Sequence, residues 1–107
     1  MFTKKKDSGY MSPQEGVRLK TLAYGKKTHL TEFRLEKGHT VPKHKHPHEQ
    51  TGYLVSGRMK FFIAEESFDA LPGDAWNIAG DVEHSAEILE DAVVVEVFSP
   101  VREEYLP

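Results

Sequence analysis

The chain has 107 residues, enough for one domain around one core. Its 14 Lys plus Arg against 17 Asp plus Glu give a net charge of −3, which argues against a nucleic-acid surface, and the absence of cysteine excludes a disulfide framework or a thiolate metal site. The start is polar and Lys-rich, without the apolar stretch of a signal peptide, and no run approaches the roughly 20 apolar residues of a membrane span, so a soluble, cytoplasmic protein with no membrane partner is expected.

Residues 1–15 are polar, contain Lys4-Lys5-Lys6, Gly9 and Pro13, and are expected to form an N-terminal tail or dimer arm, with the folded domain in 16–107. From Val17 onward the chain reads as extended runs, each closed by turn residues. Residues 17–24 end at Gly25, 29–35 at Lys37-Gly38, 50–55 at Ser56-Gly57, and 58–64 at Glu65-Glu66. Residues 68–71 end at Pro72-Gly73-Asp74, 75–78 at Ala79-Gly80-Asp81, 85–89 at Glu90-Asp91, and 93–98 at Ser99-Pro100. Runs rich in Val, Ile, Phe and Tyr that recur about every ten residues predict an all-β sandwich or barrel. No stretch holds a helical period with caps at both ends, and only 102–106 suits a short helical turn.

Four of the six histidines fall between positions 39 and 48. His44 and His46 are two apart in a segment bracketed by Pro42 and Pro47, which bias it to extended backbone. In extended chain the two imidazoles share a face and Lys45 points the other way. Neutral imidazole is the commonest metal ligand, so the pair is half of a metal site. His48 and Gln50 share the same parity, and spacing alone does not choose between them. His29, His39 and His48 read as solvated surface. Tyr53 and Trp76, and likewise Met59 and Phe61, read as core residues.

Residues 92–98 are nearly all apolar and predict a strand buried on both faces. Glu96 stands in its middle. A buried carboxylate is costly unless paired, hydrogen-bonded or protonated, and burial raises its pKa toward a proton-transfer role. Glu96 and Phe98 share parity and so a face.

Gly38, His44-x-His46, Gln50 and Gly57 in this spacing resemble the first motif of the cupin family, where a Glu usually stands in place of Gln50. Pro72-Gly73-Asp74 resembles the start of its second motif, which ends at His84. There the usual Pro-x-Gly-x-x-His is replaced by Ala79-Gly80-Asp81-Val82-Glu83-His84. The resemblance runs from about Val17 to the C-terminus and implies a double-stranded β-helix, a jelly-roll barrel. It further implies one divalent metal ion (zinc, nickel, iron, cobalt or manganese) held by His44, His46, Gln50 and His84, and a homodimer. An amide in place of a carboxylate leaves the cation's charge undiminished, which favours Lewis-acid chemistry over redox chemistry.

His-x-His-Pro-His-Glu-Gln, Tyr53 to Gly57, and the ending Glu96-Val-Phe98-Ser-Pro-Val-Arg102-Glu-Glu-Tyr105 look like the small pectin-degradation cupins. These open the ring of 4,5-unsaturated uronates to linear 5-keto-4-deoxyuronates. They use an Asp, a Phe and an Arg at the positions of Glu96, Phe98 and Arg102; here the acid is one methylene longer. The resemblance implies a small acidic substrate. A non-catalytic cupin that binds a small acidic ligand and a cupin dioxygenase are the competing readings. Gln50 speaks against the second, and Glu96 with Arg102 against the first.

Overall fold

The computed structural model describes residues 1–107. Eight strands make one antiparallel sheet: β1 (Met11–Gln14), β2 (Val17–Tyr24), β3 (His29–Leu35), β4 (Thr40–His44), β5 (Glu49–Ile63), β6 (Glu66–Ala70), β7 (Ala75–Ile78) and β8 (His84–Ser99). The helical turn expected near the C-terminus is a 3-10 turn, Glu103–Tyr105. No helix is long and apolar enough to cross a membrane.

The two longest strands, β5 and β8, form the seam. Gln50 to Leu54 pair with Phe98 to Val94, and Met59 to Ile63 with Ile88 to His84. Register shifts at Leu54/Ser56, Ser56/Arg58 and Arg58/Met59 bend the pair in the middle. On one side of the bend β3 pairs with β8 and β7 with β5; on the other β4 pairs with β8 and β6 with β5. The sheet therefore folds over itself as a double-stranded β-helix. Its core draws on both halves, with Leu35, Leu54, Ile78 and Val94 against Met59, Phe61, Ala86 and Ile88.

Two runs on each side of the seam are thus single strands, where turn residues had predicted four separate ones. Ser56-Gly57 and Glu90-Asp91 meet at the bend and turn the strand pair without reversing either chain. Gly57 has φ +91°, and a Cβ there would overlap the Asp91 carbonyl oxygen and the Ala92 backbone. Gly57→Ala should therefore cost about 2 kcal/mol or more, from left-handed backbone strain plus the overlap, read as a lower midpoint in urea unfolding.

Residues 92–98 differ from the expectation of burial on both faces. Ala92, Val94, Glu96 and Phe98 are buried, while Val93, Val95 and Val97 are half-exposed, because the strand has neighbours on both edges but a core on one face only. Met59 and Phe61 are core residues, as their parity indicated. Within the N-terminal segment, β1 pairs with β2, and the Tyr10 hydroxyl donates to Glu32. The Tyr10 ring lies 4.7 Å from Lys20 Nζ and 5.2 Å from Arg34 Cζ, so the segment rests on the outer sheet surface.

Candidate metal centre and proton-transfer site

β4 ends on His44, β8 begins on His84, and the two are opposed in register. The chain then passes exposed Lys45 to buried His46. Ring centroids are 4.2 Å apart for His44 and His84, 5.1 Å for His46 and His84, and 5.6 Å for His44 and His46. One ring nitrogen from each lies within 4.8 Å of the others. Spacing paired His44 with His46, the family resemblance added His84, and the fold brings the three together.

Each ring is oriented by a backbone carbonyl. His44 Nδ1 donates to Pro42 O at 2.8 Å, His46 Nδ1 to His48 O at 2.9 Å, and His84 Nδ1 to Val82 O at 2.9 Å. A carbonyl can only accept, so in His44 and His84 Nδ1 carries the hydrogen and the neutral ring keeps its lone pair on Nε2; His46 meets an acceptor oxygen at each nitrogen, and with its hydrogen on Nδ1 it matches the other two. His84 Nε2 is buried and makes no hydrogen bond. Burial lowers the His84 pKa to about 4 and holds His46 below the usual imidazole range, so both rings are neutral at pH 7.

Gln50, near the start of β5, faces this cluster. Its Oε1 is 2.7 Å from His46 Nε2, and its Nε2 donates to Glu96 Oε2 at 2.5 Å. With His46 neutral, two lone-pair atoms stand in contact, an arrangement that a shared cation relieves. Three imidazole nitrogens and an amide oxygen fit a borderline divalent ion. His48 stays out of the three-histidine group: its carbonyl holds His46, and its own Nδ1 is buried without a partner.

The loop before His84 departs from the family pattern yet still delivers the imidazole. Asp81, in the place of the usual glycine, adopts φ +64°, which Asp tolerates better than most side chains. Its N–H donates to His46 O at 2.7 Å and ties the two histidine-bearing segments together.

Glu96 points inward and is paired with no Arg or Lys. It lies in a cross-strand row with Gly52 and Trp76. The indole covers Gly52, where a Cβ would overlap it, and Trp76 Nε1 donates to Glu96 Oε2 at 3.4 Å. Burial pushes the Glu96 carboxyl up to about 7, against the lowering effects of these two donors and of Arg102. Both donors use Oε2, which leaves the proton on Oε1. Trp76 also packs on Phe61 at 4.4 Å between ring centroids, whereas Tyr53 is 49% exposed and belongs to neither core nor site.

Phe98 is the next inward residue, opposite Gln50. The Arg102 guanidinium lies 4.9 Å from the Phe98 ring centre and 4.2 Å from that of Tyr105, and its Nε donates to Glu104 at 2.7 Å. His44, His84, Gln50, Glu96, Phe98 and Arg102 all line one cavity of about 350 Å³.

Sequence reasoning overlooked three participants. Gly52 carried a signal, since a glycine inside a strand marks a close approach. His29 was read as surface but is completely buried. Its odd parity with buried Thr31 and Leu35 could have shown this. Tyr105, on the 3-10 turn, closed the motif ending at the C-terminus but was given no role of its own. His39 and His48 are half-buried.

The Cupin domain family matches residues 31–99. No curated protein matches the chain significantly in sequence. Among solved structures, KdgF from Halomonas sp. superposes with a TM-score of 0.92 at 27% identity, covering 99% of this chain and 98% of that one. An RmlC-like cupin from Shewanella frigidimarina gives 0.92 at 21% identity, covering 98% and 95%. A Bacillus subtilis oxalate decarboxylase variant gives 0.79 at 22% identity, covering 92% of this chain but 29% of that one. The last two likenesses concern the fold alone. The matched segment contains the three histidines, Gln50 and Glu96 on this β-helix, and the chain belongs to the cupin family.

Proposed function

We propose that the chain is a metal-dependent enzyme that opens the ring of a 4,5-unsaturated uronate without redox chemistry, working as a homodimer. The observation that carries this reading is Glu96. It is an inward acid with a pKa near 7, no cationic partner, and one oxygen free of hydrogen bonds, in the cavity that Arg102, His44 and His84 also line. A protein that only bound an anion would gain nothing from such an acid. The near full-length likeness to KdgF supports the same direction. The outer sheet face, where Tyr53 and Val55 are 49% and 47% exposed, accords with pairing of two copies.

His44, His46, His84 and Gln50 would hold a divalent cation, which supplies Lewis acidity toward the substrate's carboxylate or ring-proximal oxygens. Arg102 pairs with the substrate carboxylate through the part of its guanidinium not bonded to Glu104. Phe98 gives the sugar face an apolar wall. Glu96 delivers its Oε1 proton to C4 of the enol ether, and water adds at C5. The hemiketal then breaks its bond between C5 and the ring oxygen, which leaves a ketone at C5 and a hydrated aldehyde at C1. A carboxyl with a pKa near 7 both gives and recovers the proton at neutral pH.

Protein loaded with a divalent ion and mixed with a 4,5-unsaturated galacturonate monosaccharide should bleach the double-bond absorbance. Chelator-stripped protein should not. Unchanged absorbance with the loaded protein would defeat the proposal, and tight binding without turnover would assign the chain to ligand binding.

A further inference from the structure

His29 is buried completely, yet it is neither in the histidine cluster nor in the cavity lining. Both of its ring nitrogens are engaged with other elements, one with Thr21 on β2 and one with the segment that follows β8. The backbone N–H of Arg102 donates to His29 Nδ1 at 3.2 Å. An amide N–H can only donate, so Nδ1 is the lone-pair nitrogen and Nε2 carries the hydrogen. His29 Nε2 donates to Thr21 Oγ1 at 2.8 Å, and Thr21 Oγ1 donates to Tyr105 O at 2.7 Å. All three bonds run in one direction without conflict. Together they hold both ends of the segment 102–105, whose own turn is closed by Tyr105 N donating to Arg102 O at 3.0 Å.

We infer that His29 is the positioning residue for Arg102: by fixing the backbone at both ends of this segment, it sets where the guanidinium stands at the cavity. The guanidinium lies between the Phe98 and Tyr105 rings, and each ring is itself tied to this network. The His29 ring packs against Phe98 with centroids 6.2 Å apart, and Thr21 holds the Tyr105 carbonyl. No other side chain combines an acceptor and a donor on opposite sides of a ring within a dry strand position. This explains a histidine where the surrounding core is apolar. The inference rests on the proposed role of Arg102 in holding the substrate carboxylate.

The test compares His29→Leu, which fills the space without hydrogen bonds, with Thr21→Val, which removes only the relay hydroxyl. Each is made alone and in an Arg102→Ala background. In both variants the Arg102 or Tyr105 amide should exchange hydrogen faster than in wild type, while amides of the seam strands keep their protection. KM for unsaturated galacturonate should rise about tenfold with a much smaller change in kcat, the size expected from losing one or two hydrogen bonds. That rise should vanish when Arg102 is already Ala. An unchanged exchange rate at 102–105, or a KM rise of equal size without Arg102, would overturn the inference. If His29→Leu does not fold, Thr21→Val decides on the same readouts. If wild type turns over no uronate, the reaction proposed above fails, and amide exchange in the variants still decides whether His29 holds the Arg102 segment.

Discussion

Glu96→Gln should lower kcat on an unsaturated uronate by roughly a thousandfold, within the range for loss of a general acid, while metal content and thermal unfolding stay at wild-type values. The substitution is nearly isosteric. Its amide oxygen can take over the role of Oε2 and accept from Gln50 Nε2 and Trp76 Nε1, so the surrounding bonds at 2.5 and 3.4 Å have no reason to rearrange. What disappears is the proton on the other oxygen. An amide has no pKa near neutrality and cannot give a proton to carbon. Stopped assays on protein with verified metal content separate this from a loss of the ion. Turnover within tenfold of wild type would remove Glu96 from the chemistry and leave Arg102 and the histidine cluster as a binding site.

The pairing of Gln50 with Glu96 also gives a physical reason for an amide at a position where related chains carry a carboxylate. A Glu at 50 would bring two carboxyl groups within the present 2.5 Å contact, and one of them would have to keep a proton. Gln50 turns its oxygen toward His46 and its N–H toward Glu96, so one side chain joins the proposed metal site to the proposed acid. The sequence suggested only the electrostatic half of this, an undiminished cation charge.

What could be read from the sequence divides along the same physical line. β2, β3 and β7 begin and end where turn residues and alternation place them, because those signals are local. The bend at Gly57 was not legible, since a Ser-Gly pair that reverses a chain and one that bulges a continuous strand look alike until the partner strand is known. His44 and His46 were legible because type and spacing carry the chemistry, whereas His84, some forty positions away, was reached only through the family resemblance. How Gln50 ranks against His48 was not legible, because parity is lost where the chain bends at Pro47. The burial of His29 was within reach of its parity with Thr31 and Leu35, but its partners were not, since Arg102 lies 73 positions away. Asp81 replaced a glycine without loss of the loop, since the requirement was on φ and not on residue type.

His84→Ala should weaken binding of zinc, used as the probe ion, by more than about a hundredfold. Disturbing only the outer partners of a metal ligand already costs tenfold to a hundredfold. Thermal unfolding offers the cleaner reading. Zinc at a hundred times its dissociation constant stabilises a fold by about 2.7 kcal/mol, and a hundredfold weaker site at the same concentration leaves about 0.4 kcal/mol. The zinc-dependent rise in Tm seen with wild type should therefore nearly disappear. Each protein is compared with its own metal-free form, because removing the buried ring relieves the unpartnered Nε2 but also takes away the Nδ1 bond to Val82 O and leaves a cavity. His48→Ala makes the opposing comparison. The contact that orients His46 comes from the backbone carbonyl of residue 48, which the substitution keeps, so zinc affinity should hold. Equal losses in the two variants would put His48 in place of Gln50 beside the three neighbouring imidazoles. The amide would then be left with one task, holding Glu96.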